Sequence, residues 1–227
     1  MSKFLHRFSI LIFFWIGSFQ VFSQTGILPD QTWDIPFGMV RDAIILENQN
    51  KIIYGGFFKY VGLPNANAAE LNLSTQIANP DFPHFNGEVF ASEPDGVGGW
   101  FVSGNFTHVE NVARSKFVYI DSAGAVHTWT PTINGDVVDM ERVGNLLYLA
   151  GNFTTVNGQA RKHLACFDLN TFTLTSWSPA NTSTTGWVLS IDIENDVAYI
   201  GGNFNNIVGK TNICAVSTAT GAAIPAN

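Results

Sequence analysis

A four-residue phrase returns four times along this chain. It reads Gly-Gly-Phe-Phe at 55–58, Ser-Gly-Asn-Phe at 103–106, Ala-Gly-Asn-Phe at 150–153 and Gly-Gly-Asn-Phe at 201–204. Its last residues, Phe58, Phe106, Phe153 and Phe204, are spaced by 48, 47 and 51 positions. Self-similarity at a fixed period of this length means an array of one supersecondary unit, each copy too small to bury its apolar face alone.

The third copy shows what the unit contains. Residues 136–140 alternate apolar and polar and predict a first strand; Gly144-Asn145 predicts a turn. The apolar run 146–151 is too short for a helix and predicts a buried second strand. A polar loop, 154–162, leads to a third strand at 163–169 and a fourth at 173–177, closed by Pro179. Asp168 suits the turn between them, because its side chain can accept backbone N–H groups two residues on. Four short strands in about 47 residues predict a β-propeller blade.

The other copies keep the same order. Turn signals between strands one and two recur at 48–50, Asp95-Gly96 and Asn195-Asp196; the turn after strand three starts at Asn72, Asp121, Asp168 or Ser217. A closing tryptophan and proline recur as Trp129 with Pro131 and Trp177 with Pro179, and Gly38, Gly87, Gly135 and Gly186 open the blades. The expected fold is all-β, a propeller with four visible four-stranded blades at 37–83, 84–131, 132–179 and 180–225. The Ala-rich stretch 66–70 reads as helix by propensity alone, but its register is that of a third strand. The recurrent Gly and Phe are expected to serve packing, with Val109, Val156 and Ile207 as plugs under the loops.

Closure of the ring points beyond four blades. Gln31, Thr32, Trp33 and Pro36 resemble a fourth strand with no blade before it, while 222–225 already supply the last copy with its own. The chain is therefore expected to be the N-terminal part of a longer protein and a larger propeller, a complete four-bladed ring being the alternative.

The first 23 residues are expected to lie outside the fold. Lys3, His6 and Arg7 precede an apolar run over 8–19, and Val21 and Ser23 suit a signal peptidase site, which predicts a cleaved signal at 1–23. Gly17, Ser18 and Gln20 interrupt the run, which argues against a spanning anchor. The expected location is secreted or at the cell surface, with no stable membrane insertion after signal removal.

Without that segment nine Lys/Arg face 18 Asp/Glu, a formal charge of −9. That excludes a basic footprint for nucleic acid. Two cysteines, Cys166 and Cys214, could pair in an exported chain. They fall at positions of opposite parity in their third strands, so their sulfurs are expected to diverge and to stay free and buried.

No catalytic signature is present: no Gly-x-Ser-x-Gly, no His-Glu-x-x-His, no phosphate loop. The 96–99 run is glycine-rich but belongs to a hairpin turn. Asp192, Glu194 and Asp196 alternate like metal ligands, yet Val197 stands where a calcium loop needs glycine. No cofactor or metal is expected. His84, His108, His127 and His163 fall at unrelated points of the unit.

Strand alternation puts the loops joining strands two to three and four to one on one side. That long-loop face supplies the candidate binding residues Arg114, Asp136, Arg161, Lys162 and Trp187, and also displays Lys59, Tyr60, His84, Glu110 and Asn157. Arg114 and Arg161 recur, which makes a bridge to the next blade the competing account of them.

The phrase at 151–161, followed by an Asp-containing strand and Trp-x-Pro, resembles the delta-sixty-type β-propeller repeat of exported bacterial proteins, similar in architecture to kelch propellers. The resemblance covers about 31–225 and is weakest in the first copy, where Phe57-Phe58-Lys59 replaces Asn-Phe-Thr. It implies a propeller and export, and no enzyme chemistry. Two functions follow as expectations. One is a non-catalytic exported module that binds an unidentified protein or glycan, or has a structural role at the cell surface. The alternative is a carbohydrate-active enzyme with a central-channel site, for which Asp42 and Asp139 on first strands are the candidate carboxylates.

Overall fold

The structure is a computed structural model that describes residues 38–46, 51–58, 67–72, 74–75, 78–181 and 186–225. The expected signal at 1–23, the strand around Trp33, Lys59, Tyr60 and the inserted 182–185 lie outside these residues. Every regular element described is a β-strand.

The first unit holds β1 (Gly38–Leu46), β2 (Lys51–Phe58) and β3 (Ala68–Asn72). The second holds β4 (Val89–Pro94), β5 (Trp100–Gly104), a short ribbon of β6 (His108–Val109) and β7 (Val112–Ala113), and β8 (Phe117–Ile120). The third holds β9 (Val137–Val143), β10 (Leu146–Gly151), a ribbon of β11 (Thr155–Val156) and β12 (Gln159–Ala160), β13 (Leu164–Asp168) and β14 (Thr173–Leu174). The fourth holds β15 (Val188–Glu194), β16 (Val197–Gly202) and β17 (Ile213–Ser217). Each unit is an antiparallel meander, ordered β1-β2-β3, β4-β5-β8, β9-β10-β13-β14 and β15-β16-β17. The Ala-rich segment is a strand, as the repeat register requires.

The fourth strand is shorter than its sequence suggests. Strand β14 covers only Thr173–Leu174 of the expected 173–177. In the other units the pairing is a single bridge, Leu71 to Ala78, Ile120 to Val126 and Val216 to Ala223. The polar loop also has more order than expected, because Val109 and Val156 each close a two-residue ribbon. The turns after the third strands are as predicted: Asn72, Asp121 and Asp168 accept backbone N–H groups through their side chains.

All four first strands carry a bulge at the same place, at Arg41, Phe90, Val138 and Leu189. Opposite the bulges in the last three units lie Gly104, Gly151 and Gly202. A Cβ there would collide with the carbonyl oxygens of Glu88, Asp136 and Trp187, so the repeated glycine answers to a close backbone approach.

Successive sheets stack face on face. Ile44, Ile53 and Ala68 of the first meet Val89, Trp100, Val102 and Val118 of the second. Phe101 and Phe117 of the second meet Val137, Leu147, Leu149 and Phe167 of the third. Tyr148, Leu164 and Cys166 of the third meet Ile200, Cys214 and Val216 of the fourth. Phe106, Phe153 and Phe204 are buried in these layers with Val109, Val156 and Ile207 beneath the loops; the side chain of Phe58 lies outside those described. Trp177 closes its layer by donating Nε1–H to the Ser217 carbonyl at 3.0 Å and meeting Tyr148 edge-on at 5.0 Å. First strands pack in series, β1 on β4, β4 on β9 and β9 on β15, with no comparable contact from β15 back to β1 among the described residues.

Both cysteines are free and buried, as expected, but their sulfurs do not diverge into separate layers. Stacking turns one face of the third sheet toward the opposite face of the fourth. Residues of opposite parity therefore meet, and Cys166 and Cys214 line the same layer.

Candidate functional site

The repeated Gly-Asn-Phe fixes the loops from which any site on the long-loop face is built. The side-chain oxygens of Asn105 and Asn152 accept the N–H groups of Glu88 and Asp136, each at 2.6 Å, and Asn203 does the same for Trp187. The preceding glycines make room for this clamp. A Cβ on Gly135 would lie 2.5 Å from Asn152 Oδ1 and 2.7 Å from Phe153 N. Asn86 and Asn134 act from the other side, accepting two N–H groups each from 107–108 and 154–155. Loops two-to-three and four-to-one are thus locked together in each of these units.

On that frame the five candidate residues stand apart, with no hydrogen bond or ion pair joining any two of them. Arg114 donates to the carbonyls of Ala113 and His127, at 2.8 and 3.0 Å; Arg161 donates to those of Ala160 and Thr175, at 2.8 and 2.6 Å. Both acceptor pairs lie in the arginine's own unit, so the expected bridge to the next blade is not made. The guanidinium instead holds the outermost segment of its own sheet, supplying the order that the vestigial fourth strand lacks.

Asp136 does bridge units, accepting Lys116 Nζ at 2.6 Å. Glu88, at the matching place, pairs with Arg41 of the first unit. Lys162 is exposed, and its ammonium has no partner among the described residues; its carbonyl accepts Asn181 Nδ2 at 2.8 Å. Trp187 is half-buried beside the insertion. His163, next to Lys162 in the chain, is buried, and loss of solvation, followed by the charge of Lys162, pushes its pKa below the ordinary histidine value.

Sequence reasoning missed one series here. Asn67, Lys116, His163 and Asn212 each stand just before the third strand with φ of 63 to 68°. In three of them the side chain turns toward the next unit: Asn67 to the Phe85 carbonyl, Lys116 to Asp136 and His163 to Asn181. Aligning the copies at this position, and noting that two are Asn, would have pointed to left-handed backbone.

The two first-strand carboxylates considered for a channel enzyme are engaged in holding sheets together. Asp42 Oδ2 accepts the N–H and hydroxyl of Ser92 at 2.6 and 2.9 Å, and Asp139 Oδ2 accepts the N–H of Ile191 at 2.7 Å. Between the second and third units Glu93 accepts the Arg142 N–H at 2.9 Å. A first strand is an edge strand, and its outward N–H groups need acceptors; a carboxylate from the preceding sheet supplies one each time. No group of three or more His, Cys, Asp or Glu is placed to hold a metal ion among the described residues.

A cavity of about 210 Å³ opens elsewhere, between the first and second units. It is lined by Lys51, Glu70, Asn79, Trp100 and the turn at 121–124. Glu70 is 7 % exposed and bonds Lys51 Nζ and Asn79 Nδ2 at 3.1 Å each. Trp100 is 2 % exposed, and its indole N–H has no acceptor among the described residues. Both residues are departures from the repeat. The position of Trp100 holds Ile52, Leu147 and Ala198 in the other units, and that of Glu70 holds Tyr119, Cys166 and Ala215.

No family model matches the chain, and no curated protein sequence matches it.

Proposed function

We propose that the chain is an exported, non-catalytic β-propeller module of the delta-sixty type that binds a protein or glycan at the cell surface. What supports a non-catalytic role is the position of the carboxylates: Asp42, Glu93 and Asp139 each take a backbone N–H of the following sheet. Radial stacking of four-stranded units, each with its first strand innermost, is the propeller arrangement. It is supported here by the serial packing of β1, β4, β9 and β15. Tyr199 and Ile213 stay exposed on the outer face of the fourth sheet; further blades would cover them. Binding belongs to the loops, where Lys162 offers a charge unengaged among the described residues and Trp187 a half-buried ring. Export rests on the signal-like segment at 1–23.

Incubation of the mature chain with a panel of polysaccharides tests the reading. No new reducing ends are expected, while arrays of glycans and matrix proteins retain the chain and Lys162→Ala weakens the retention. Hydrolysis that Asp139→Asn abolishes without unfolding the chain would establish an enzyme instead.

A further inference from the structure

We infer that the joint between the third and fourth units is an acid-sensitive clasp, opened by proton uptake at His163. The clasp is a property of the array and does not depend on any ligand. The three joints are built alike. The segment that enters a unit runs beside that unit's loop, pairing Phe85 with Val109, Ile133 with Val156 and Asn181 with Ile207. One backbone bond seals each pairing. Glu110 N–H donates to the His84 carbonyl, Asn157 N–H to that of Thr132 and Val208 N–H to that of Ala180, at 2.8, 2.8 and 2.7 Å.

What differs is the side chain that crosses the joint from the head of the third strand. In the first joint the neutral Asn67 donates to the Phe85 carbonyl at 2.9 Å. In the second Lys116 meets the carboxylate of Asp136 at 2.6 Å. In the third His163 holds the place of Lys116. Trp187 holds the place of Asp136, since each gives its N–H to the clamping asparagine of its unit. A base therefore stands here without the counter-ion of the joint before it.

His163 is 5 % exposed, and its Nδ1 lies 3.4 Å from Asn181 Nδ2, which also donates to the Lys162 carbonyl at 2.8 Å. An amide nitrogen only donates, so Nδ1 is the acceptor and the ring is neutral. A proton on Nδ1 sets donor against donor. Turning the amide over to meet it would take Nδ2 from the Lys162 carbonyl. The segments around the ring bring no carboxylate, because 150–153, 180–191 and 203–209 carry no charged residue. Lys162 and Lys210 flank them, and both are cations. Asp136, tied through its carbonyl to the Asn152 N–H, turns its carboxylate to Lys116. An imidazolium at this place would be buried and unpaired, which is costly. Burial, followed by the charge of Lys162, accordingly holds the imidazole below its ordinary value of 6.5. The open joint thus takes a proton more readily than the closed one. The clasp has its full strength above that value and weakens as pH falls below it.

The test is amide hydrogen exchange of the mature chain at about pH 8 and about pH 5, which bracket the ordinary histidine range. It compares protection factors for the sealing N–H groups of Val208 and Asn157. Val208 should lose protection at the lower pH, by up to about thirtyfold, the limit set by an open-state value of 6.5. Asn157 should keep its protection, because 132–136 and 152–157 hold no histidine and Lys116 takes the crossing position. His163→Asn should remove the loss at Val208. Asparagine stands at the matching positions 67 and 212 and suits the φ of 65° at His163. Equal protection of Val208 at both pH values, an equal loss at Asn157, or a loss that persists in His163→Asn overturns the inference. The comparison of Val208 with Asn157 in the parent chain decides the matter even where the variant folds poorly.

Discussion

Tyr148 and Tyr199 hold the same place in successive units, yet the first is 1 % exposed and the second 48 %. Leu164 and Ile213 repeat the contrast, at 1 % and 73 %. The pattern of each strand pair is the same; what differs is that the third sheet has a neighbour on its outer face and the fourth has none among the described residues. Burial in this array is a property of position in the stack. The same alternation of residues gives a core layer in one unit and an apolar surface in the next.

Charge reversal breaks the comparison most strongly. Leu164→Asp puts an unpaired carboxylate between two sheets and should cost more than about 4 kcal/mol, enough to unfold the chain. Ile213→Asp should change stability by within about 0.5 kcal/mol. Urea midpoints of the two variants decide it, and equal losses would mean that the fourth sheet is covered too. Next in size, Tyr148→Ala removes a ring packed against Trp177 and should cost about 3–5 kcal/mol, against less than about 1 kcal/mol for Tyr199→Ala. Smaller again is the carboxylate stitch. Asp139→Ala leaves the Ile191 N–H without its acceptor, for about 1–3 kcal/mol, while Asp192→Asn, exposed on β15, should be close to neutral in the same denaturation series.

The smallest expected effect is on pH dependence. Burial raises the thiols of Cys166 and Cys214 from near 9 to about 11. The folded chain therefore holds these protons where the unfolded chain releases them. Their contribution to stability is complete below pH 9 and is lost as pH rises toward 11. Urea midpoints across that window should fall less steeply for Cys166→Ala/Cys214→Ala than for the parent, and identical slopes would place the thiols in contact with solvent.

Much of the sheet order was legible because strands are local. The Asx turns at Asn72, Asp121 and Asp168 follow from residues within one unit, while the strand at Ala68–Asn72, whose own residues favour helix, follows from its register with the other copies. What failed concerned relations between segments. Parity within one sheet separates Cys166 from Cys214, whereas stacking presents opposite faces of successive sheets to one another and brings both into one layer. For Arg114 and Arg161 a bridge to the next blade was the competing account; both instead turn back to His127 and Thr175 of their own units, where a nearly absent fourth strand leaves carbonyls to be held. Of the candidate residues, Asp136 proved to be an inter-unit tie through Lys116, and only Lys162 keeps an unengaged charge among the described residues. The cavity escaped notice because its residues, Lys51, Glu70, Trp100 and the turn at 121–124, come from separate segments of two units. Its one trace in the sequence was that Trp100 and Glu70 depart from the other copies.

Hydroxyl-radical footprinting of the native mature chain tests the stacked array most directly, by comparing oxidation at Tyr148 and Tyr199 in one sample. Tyr199 should be modified many times faster than Tyr148, with the two rates converging in denaturant. Equal protection of both rings in the native chain would contradict an array in which the outer face of the third sheet is covered and that of the fourth has no neighbour among the described residues.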